Sequence, residues 1–289
     1  MTDVASAPMP APTQERLRWW KEVGYGIAVY AVYSVVRNRF GSAGGDPGPA
    51  FGHAKEIIDV ERWMHLYIEP QVQRWYLDLP GRGLIRLWNV YYGIAHFLVT
   101  LVALMWLFRR DKERYPLFRN VLALTTCLAV VGFAAYSLMP PRLLDDPGEY
   151  GACQIYAPEA AARADADGAP GCDRYDYVDT VDRFGGWISF GNDGYKDVSN
   201  QYAAMPSMHI GWSTWTALVL VPLLRRRWAK GLAALYPVVT LFCIIVTGNH
   251  YWTDGLGGLL CLAVGYALAR AVTGRFAPPG RRSPSPPRP

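Results

Sequence analysis

Apolar runs of roughly membrane-spanning length, separated by short blocks of arginine and lysine, constrain this chain more than any other feature. Six such runs are legible, at about Lys21–Val36, Leu84–Phe108, Leu117–Leu138, His209–Leu224, Leu232–Val246 and His250–Val272. Buried helices of a large soluble protein give similar runs. Six of them with basic brackets favour an all-α, polytopic membrane protein.

The brackets also set the orientation. "RRDKERYPLFR" (109–119) carries five Lys/Arg, "RRRWAK" (225–230) carries four, and the C-terminal segment is basic as well. Loops of this kind stay in the cytoplasm. The long connection 140–206 carries twelve Asp/Glu against five Lys/Arg. With six spans and both termini inside, this acidic loop lies outside and every basic block inside, as expected for a multi-pass protein of the cell membrane. The net charge of +5 then reflects topology and anionic-lipid contacts, with no nucleic-acid face implied.

Residues 1–20 read as a cytoplasmic segment without the apolar core of a signal peptide. Residues 21–272 form one membrane domain. Residues 273–289, in "RFAPPGRRSPSPPRP" (275–289), read as a disordered basic tail. The stretch "AKEIIDVERWMHLYIEPQVQRWYL" (54–77) is charged and aromatic, as in an amphipathic helix at the interface. His53 and His65 are expected there as surface residues. Cys127, Cys243 and Cys261 fall in spans, while Cys153 and Cys172 share the outer loop, where either a disulfide or two free thiols is open.

Two spans begin with a histidine. His209 lies in "YAAMPSMHIGWS" (202–213), sixteen residues before Arg225 and hence about 24 Å above the inner basic block. His250 lies in "GNHYWTDG" (248–255), twenty residues before Arg270 and about 30 Å above it. Both imidazoles therefore reach the outer part of the bilayer at helix starts, whose free N–H groups and positive dipole ends suit a phosphate. Pro206 is tolerated there, and Ser207 suits either an N-cap or a phosphate donor. Asp254, one turn after His250, can accept its N–H and raise its basicity. Asn89, Tyr92 and His96 share one face of the second span and either line a polar cavity or bond helix to helix.

"PSMHIGWS" together with "HYWTD" resembles the type 2 phosphatidic acid phosphatase superfamily, whose six-helix fold is shared with vanadium haloperoxidases. Its Pro-Ser-x-His motif with a later serine matches Pro206, Ser207, His209 and Ser213, and its His-x-x-x-Asp matches His250 and Asp254. "NQYAAMPSMH" and "MPPR" are similar to the inositolphosphotransferase branch, which includes inositolphosphorylceramide synthase. The resemblance implies that His250 is the nucleophile, Asp254 its orienting partner and His209 the general acid and base, with no metal or other cofactor.

The Lys and Arg-Pro motif of the phosphatases is absent, and Cys243 and Ile244 stand where a Ser-Arg pair is expected. Arg142 is a candidate replacement cation, and Tyr202, Tyr92, His96, Asn89 and Ser207 are the other candidate phosphate-binding residues. The implied donor is a phospholipid or polyprenyl phosphate. The acceptor is inositol, a sugar, a lipid alcohol or water, chosen in part by the outer loop with its "GGWISFGNDGYKD". A proton-coupled transporter and a zinc site are the competing readings. Transport relays usually lie at the midplane, and no fourth zinc ligand occurs at a fixed spacing.

Overall fold

A computed structural model describes residues 18–40, 46–80, 82–167, 172–185 and 201–276. The expected N-terminal segment up to residue 17, the loop residues 186–200 that hold most of "GGWISFGNDGYKD", and the tail from residue 277 lie outside the described residues.

The helices are α1 (Trp19–Phe40), α2 (Pro47–Trp63), α3 (Glu69–Asp78), α4 (Ile85–Arg110), α5 (Tyr115–Ala135), α6 (Cys153–Tyr156), α7 (Pro158–Asp167), α8 (Thr180–Phe184), α9 (Met208–Leu223), α10 (Arg227–Val246) and α11 (Trp252–Phe276). No strand occurs among the described residues. One isolated bridge, Leu138 to Ala203, ties together the two ends of the long loop.

Four helices are long and apolar enough to cross a membrane: α4, α5, α10 and α11 up to Thr273. Only 22–33% of their most apolar stretches is buried inside the protein. Their outward faces, with Leu87, Leu98, Leu101 and Leu260 exposed, need an apolar solvent, and the chain is a membrane protein. The other two expected spans, α1 and α9, are not among these four. The helix α9 has 16 residues, about 24 Å of rise. The helix α1 is not one of the four; it has 22 residues, with Lys21 and Glu22 in its first turn, and the side chains of most of its later half lie outside the described residues.

The bundle closes around α9, which packs against α4, α10 and α11, while α11 also lies along α5. One core joins Leu107, Phe118, Val121, Trp215, Val219 and Leu262. A second core covers the opposite end of α9 and includes Phe51, Ile58, Leu138, Met139, Tyr202 and Tyr251. This cap is built from α2, α3 and the described residues 136–167 and 172–185.

The interfacial stretch 54–77 differs from expectation. It is two helices, α2 and α3, broken over Met64–Ile68 where His65 takes a positive φ of 57°. Glu61 before the break and Glu69 and Gln73 after it are all buried, a pattern that a single surface helix does not produce. His65 is exposed. His53 is not a plain surface residue: its Nδ1 lies 2.7 Å from the Ser137 carbonyl and its ring stacks on Tyr136 at 4.0 Å. The helix α11 continues to Phe276, so the start of the expected tail is helical.

Candidate active site

Close approach of α9 and α11 brings the two histidines together. An added Cβ at Gly258 would collide with the Ser207 carbonyl oxygen, so only glycine permits this spacing. The Ser207 N–H donates to the Asp254 carbonyl at 2.8 Å, which registers the two helix starts. Ahead of His250, α10 ends in a turn that needs Gly248 at φ +68°, against Gln73 and Arg142.

In this frame His250 Nε2 lies 3.3 Å from His209 Nδ1. On its far side His250 Nδ1 lies 3.1 Å from Asp254 Oδ2, and that oxygen also accepts from the Tyr251 N–H at 3.0 Å. His209 Nε2 lies 3.2 Å from the Tyr92 carbonyl oxygen. Carboxylate and carbonyl accept only, so His250 Nδ1 and His209 Nε2 are the N–H positions. The two facing nitrogens then carry one proton between them or none.

The candidate phosphate-binding residues separate into those beside the histidines and those further off. Tyr92 stacks on His209, with centroids 4.3 Å apart, and His96 lies at 4.1 Å on the same imidazole. Ser207 takes the N-cap position of α9 without a side-chain cap bond, and its buried Oγ has no partner. Arg142 is joined to the His250 turn through its backbone N–H, which donates to the Gly248 carbonyl at 2.7 Å. Its guanidinium contacts Asp179 at 2.6 Å and Gln201 at 2.5 Å. Burial opposes that charge, but Asp179 outweighs it and holds the group above the usual arginine range.

Asn89 and Tyr202 face the cap instead. The Asn89 amide donates to the carbonyls of Thr180 and Gly185, and its Oδ1 accepts from the Thr180 hydroxyl. The Tyr202 hydroxyl donates to the Tyr150 carbonyl. Cys153 and Cys172 form a disulfide with Cα atoms 5.7 Å apart. Ser213 turns back onto the Ile210 carbonyl, and the Cys243 thiol, where the phosphatases carry part of a Ser-Arg pair, donates to the Trp88 carbonyl.

Sequence reasoning missed the carboxyl groups behind His250. Glu61 and Glu69 are fully buried and reach Thr253 and Trp252. Their eight-residue spacing matches no motif, and only the break between α2 and α3 lets both reach the start of α11. No group of three or more His, Cys, Asp or Glu suited to a metal occurs among the described residues.

A family model described as the PAP2 superfamily matches residues 55–268. That range runs from within α2 to within α11 and contains every residue of the histidine site. No curated protein and no solved structure matches the chain. The chain belongs to the PAP2 superfamily and is a membrane enzyme of the phosphatase or phosphotransferase type.

Proposed function

We propose that the protein is a lipid phosphotransferase of the inositolphosphotransferase branch, acting through a phosphohistidine at His250. The contact that carries this reading is His250 Nε2 to His209 Nδ1 at 3.3 Å, with Asp254 Oδ2 on the other His250 nitrogen. Asp254 fixes the tautomer that leaves a lone pair on His250 Nε2. That lone pair attacks phosphorus, an N–P bond forms, and the P–O bond to the lipid alcohol breaks. The departing oxygen takes the proton of His209 Nδ1. In the second half His209 Nδ1 removes the acceptor's hydroxyl proton, the new P–O bond forms and the N–P bond breaks. An inositol-phosphate-like head group is thereby moved to a hydroxyl acceptor.

The unpartnered Ser207 Oγ and Arg142 Nε are suited to the phosphoryl oxygens, where charge develops in the transition state. The acidic loop and basic blocks support a site on the extracytoplasmic face, with both termini cytoplasmic. Two further spans, α1 and α9, are part of this reading. The helix α9 is enclosed by three long apolar neighbours, and α1 is anchored on α5 by Glu22, which accepts from Arg119 and Tyr115.

Hydrolysis of a lipid or polyprenyl phosphate is the second reading, favoured by the same histidine geometry with water as acceptor. Purified protein in liposomes, given a head-group-labelled phospholipid with and without a candidate alcohol, separates the two. Labelled head group on the alcohol is expected, and release of inorganic phosphate alone overturns transfer. An acid-labile, alkali-stable phosphoenzyme is expected in the wild type. His250→Ala is expected to lose it together with roughly three orders of magnitude in turnover; turnover within a few-fold of wild type overturns the mechanism.

A further inference from the structure

Three consecutive backbone N–H groups immediately after His250 each meet a different carboxyl. Tyr251 donates to Asp254 Oδ2 at 3.0 Å, Trp252 to Glu69 Oε1 at 3.0 Å, and Thr253 to Glu61 Oε1 at 3.4 Å. The Thr253 hydroxyl adds a 2.7 Å bond to the same Glu61 oxygen. These are the orphan donors at the start of α11. Asp254 comes from the helix itself, whereas Glu61 and Glu69 come from the cap.

Glu61 and Glu69 have 0% exposure, touch one another through their side chains, and pair with no lysine or arginine among the described residues. Their second oxygens, Oε2 of each, are buried without another partner. Two adjacent carboxylates in such a place cannot both stay ionised. A single proton held between the two carboxyl groups removes one of the two charges and supplies the missing hydrogen-bond donor.

We propose that Glu61 and Glu69 form a carboxyl pair that shares one proton and, by capping Trp252 and Thr253, positions the His250 turn for attack. The inference rests on His250 as nucleophile. The two residues are positioning residues and touch no reacting atom.

Burial first, and then the Glu69 charge, pushes Glu61 up to about 9; burial likewise raises Glu69. The other groups facing the pair do not exchange protons with it near neutrality. Burial raises the hydroxyls of Tyr67, Tyr177 and Tyr251. Arg62 lies over the Tyr67 ring at 5.0 Å, and Asp254 is engaged by His250 and Tyr251. The folded chain therefore holds the shared proton more tightly than an unfolded chain does. The pair's contribution is complete at low pH, declines as pH climbs beyond the ordinary carboxyl range, and is gone above about 9.

The test uses full-length protein in nanodiscs. Hydrogen exchange at residues 251–253 is followed alongside turnover of the head-group-labelled phospholipid, with the alcohol acceptor present, between neutral and alkaline pH. Glu61→Ala is expected to deprotect these amides and lower kcat about tenfold with KM within about twofold. Glu61→Gln, whose amide donates to Glu69 without a titrating proton, restores protection and kcat and removes the alkaline decline of the wild type. Unchanged protection in Glu61→Ala, or lost protection with unchanged kcat, overturns the proposal. Recovery of wild-type activity at alkaline pH on adding potassium or calcium also overturns it, because a cation rather than a proton would then neutralise the pair. His250→Ala separates the two inferences: full turnover there sinks the nucleophile assignment, while exchange at 251–253 still reports on the cap.

Discussion

Around Leu107, Trp215 and Val219 the bundle is held mainly by apolar packing, with the Trp215 indole on the Phe118 carbonyl as a polar exception. Around the histidine end the contacts are of another kind. The Asp145 carboxylate accepts from the backbone N–H groups of Arg174, Tyr175 and Tyr177 and from the Tyr156 hydroxyl. Gln73 bonds Val178 in both directions and also the Val246 carbonyl. Apolar packing tolerates exchange of one aliphatic residue for another of similar volume. A carboxylate gathering several backbone donors does not. The difference teaches where this chain is plastic and where it is specified: the apolar seam tolerates exchange of like for like, but the hydrogen-bonded cap that meets the His250 turn does not.

Three substitutions test that contrast. Leu107→Ala, at a fully buried site, is expected to lower unfolding stability in detergent by about 3 kcal/mol with KM unchanged. A rise in KM would show that the two regions are coupled. Gly258→Ala, in the seam between the regions, forces a Cβ toward the Ser207 carbonyl. It is expected to separate the imidazoles and lower kcat about 100-fold while the helix content in circular dichroism stays constant. Near-normal kcat would mean that the two helix starts adjust independently. Asp145→Asn keeps the shape but removes the charge, and is expected to weaken the cap by about 1.5 kcal/mol. Faster hydrogen exchange at residues 174–177 with unchanged exchange in α5 and α11 is the outcome to look for. Equal acceleration in both would erase the distinction.

Much of the membrane half is legible from residues alone. Long apolar runs with basic ends become α4, α5, α10 and α11 because a backbone in lipid must satisfy its own hydrogen bonds. The pairing of His250 with Asp254 is legible for the same local reason, since residues four apart share a helix face. The single interfacial helix expected over 54–77 marks a limit of pattern: charged and aromatic residues at mixed spacing look amphipathic whether or not the helix breaks at Met64. Asn89 illustrates the same limit. Its place in a polar stripe is visible, but its bonds to Thr180 and Gly185 depend on a loop nearly a hundred residues away.

By itself the sequence determined a helical membrane protein with two histidines at helix starts and a carboxylate one turn behind the second, because periodicity and hydropathy are local properties. Tertiary structure alone decided that His209 and His250 stand nitrogen to nitrogen, that Arg142 faces Asp179, and that Glu61 and Glu69 meet behind the His250 turn. Those contacts join residues far apart in the chain. They arise from how closely glycine lets two helices approach and from where a buried charge finds its partner, and neither is written in any local pattern.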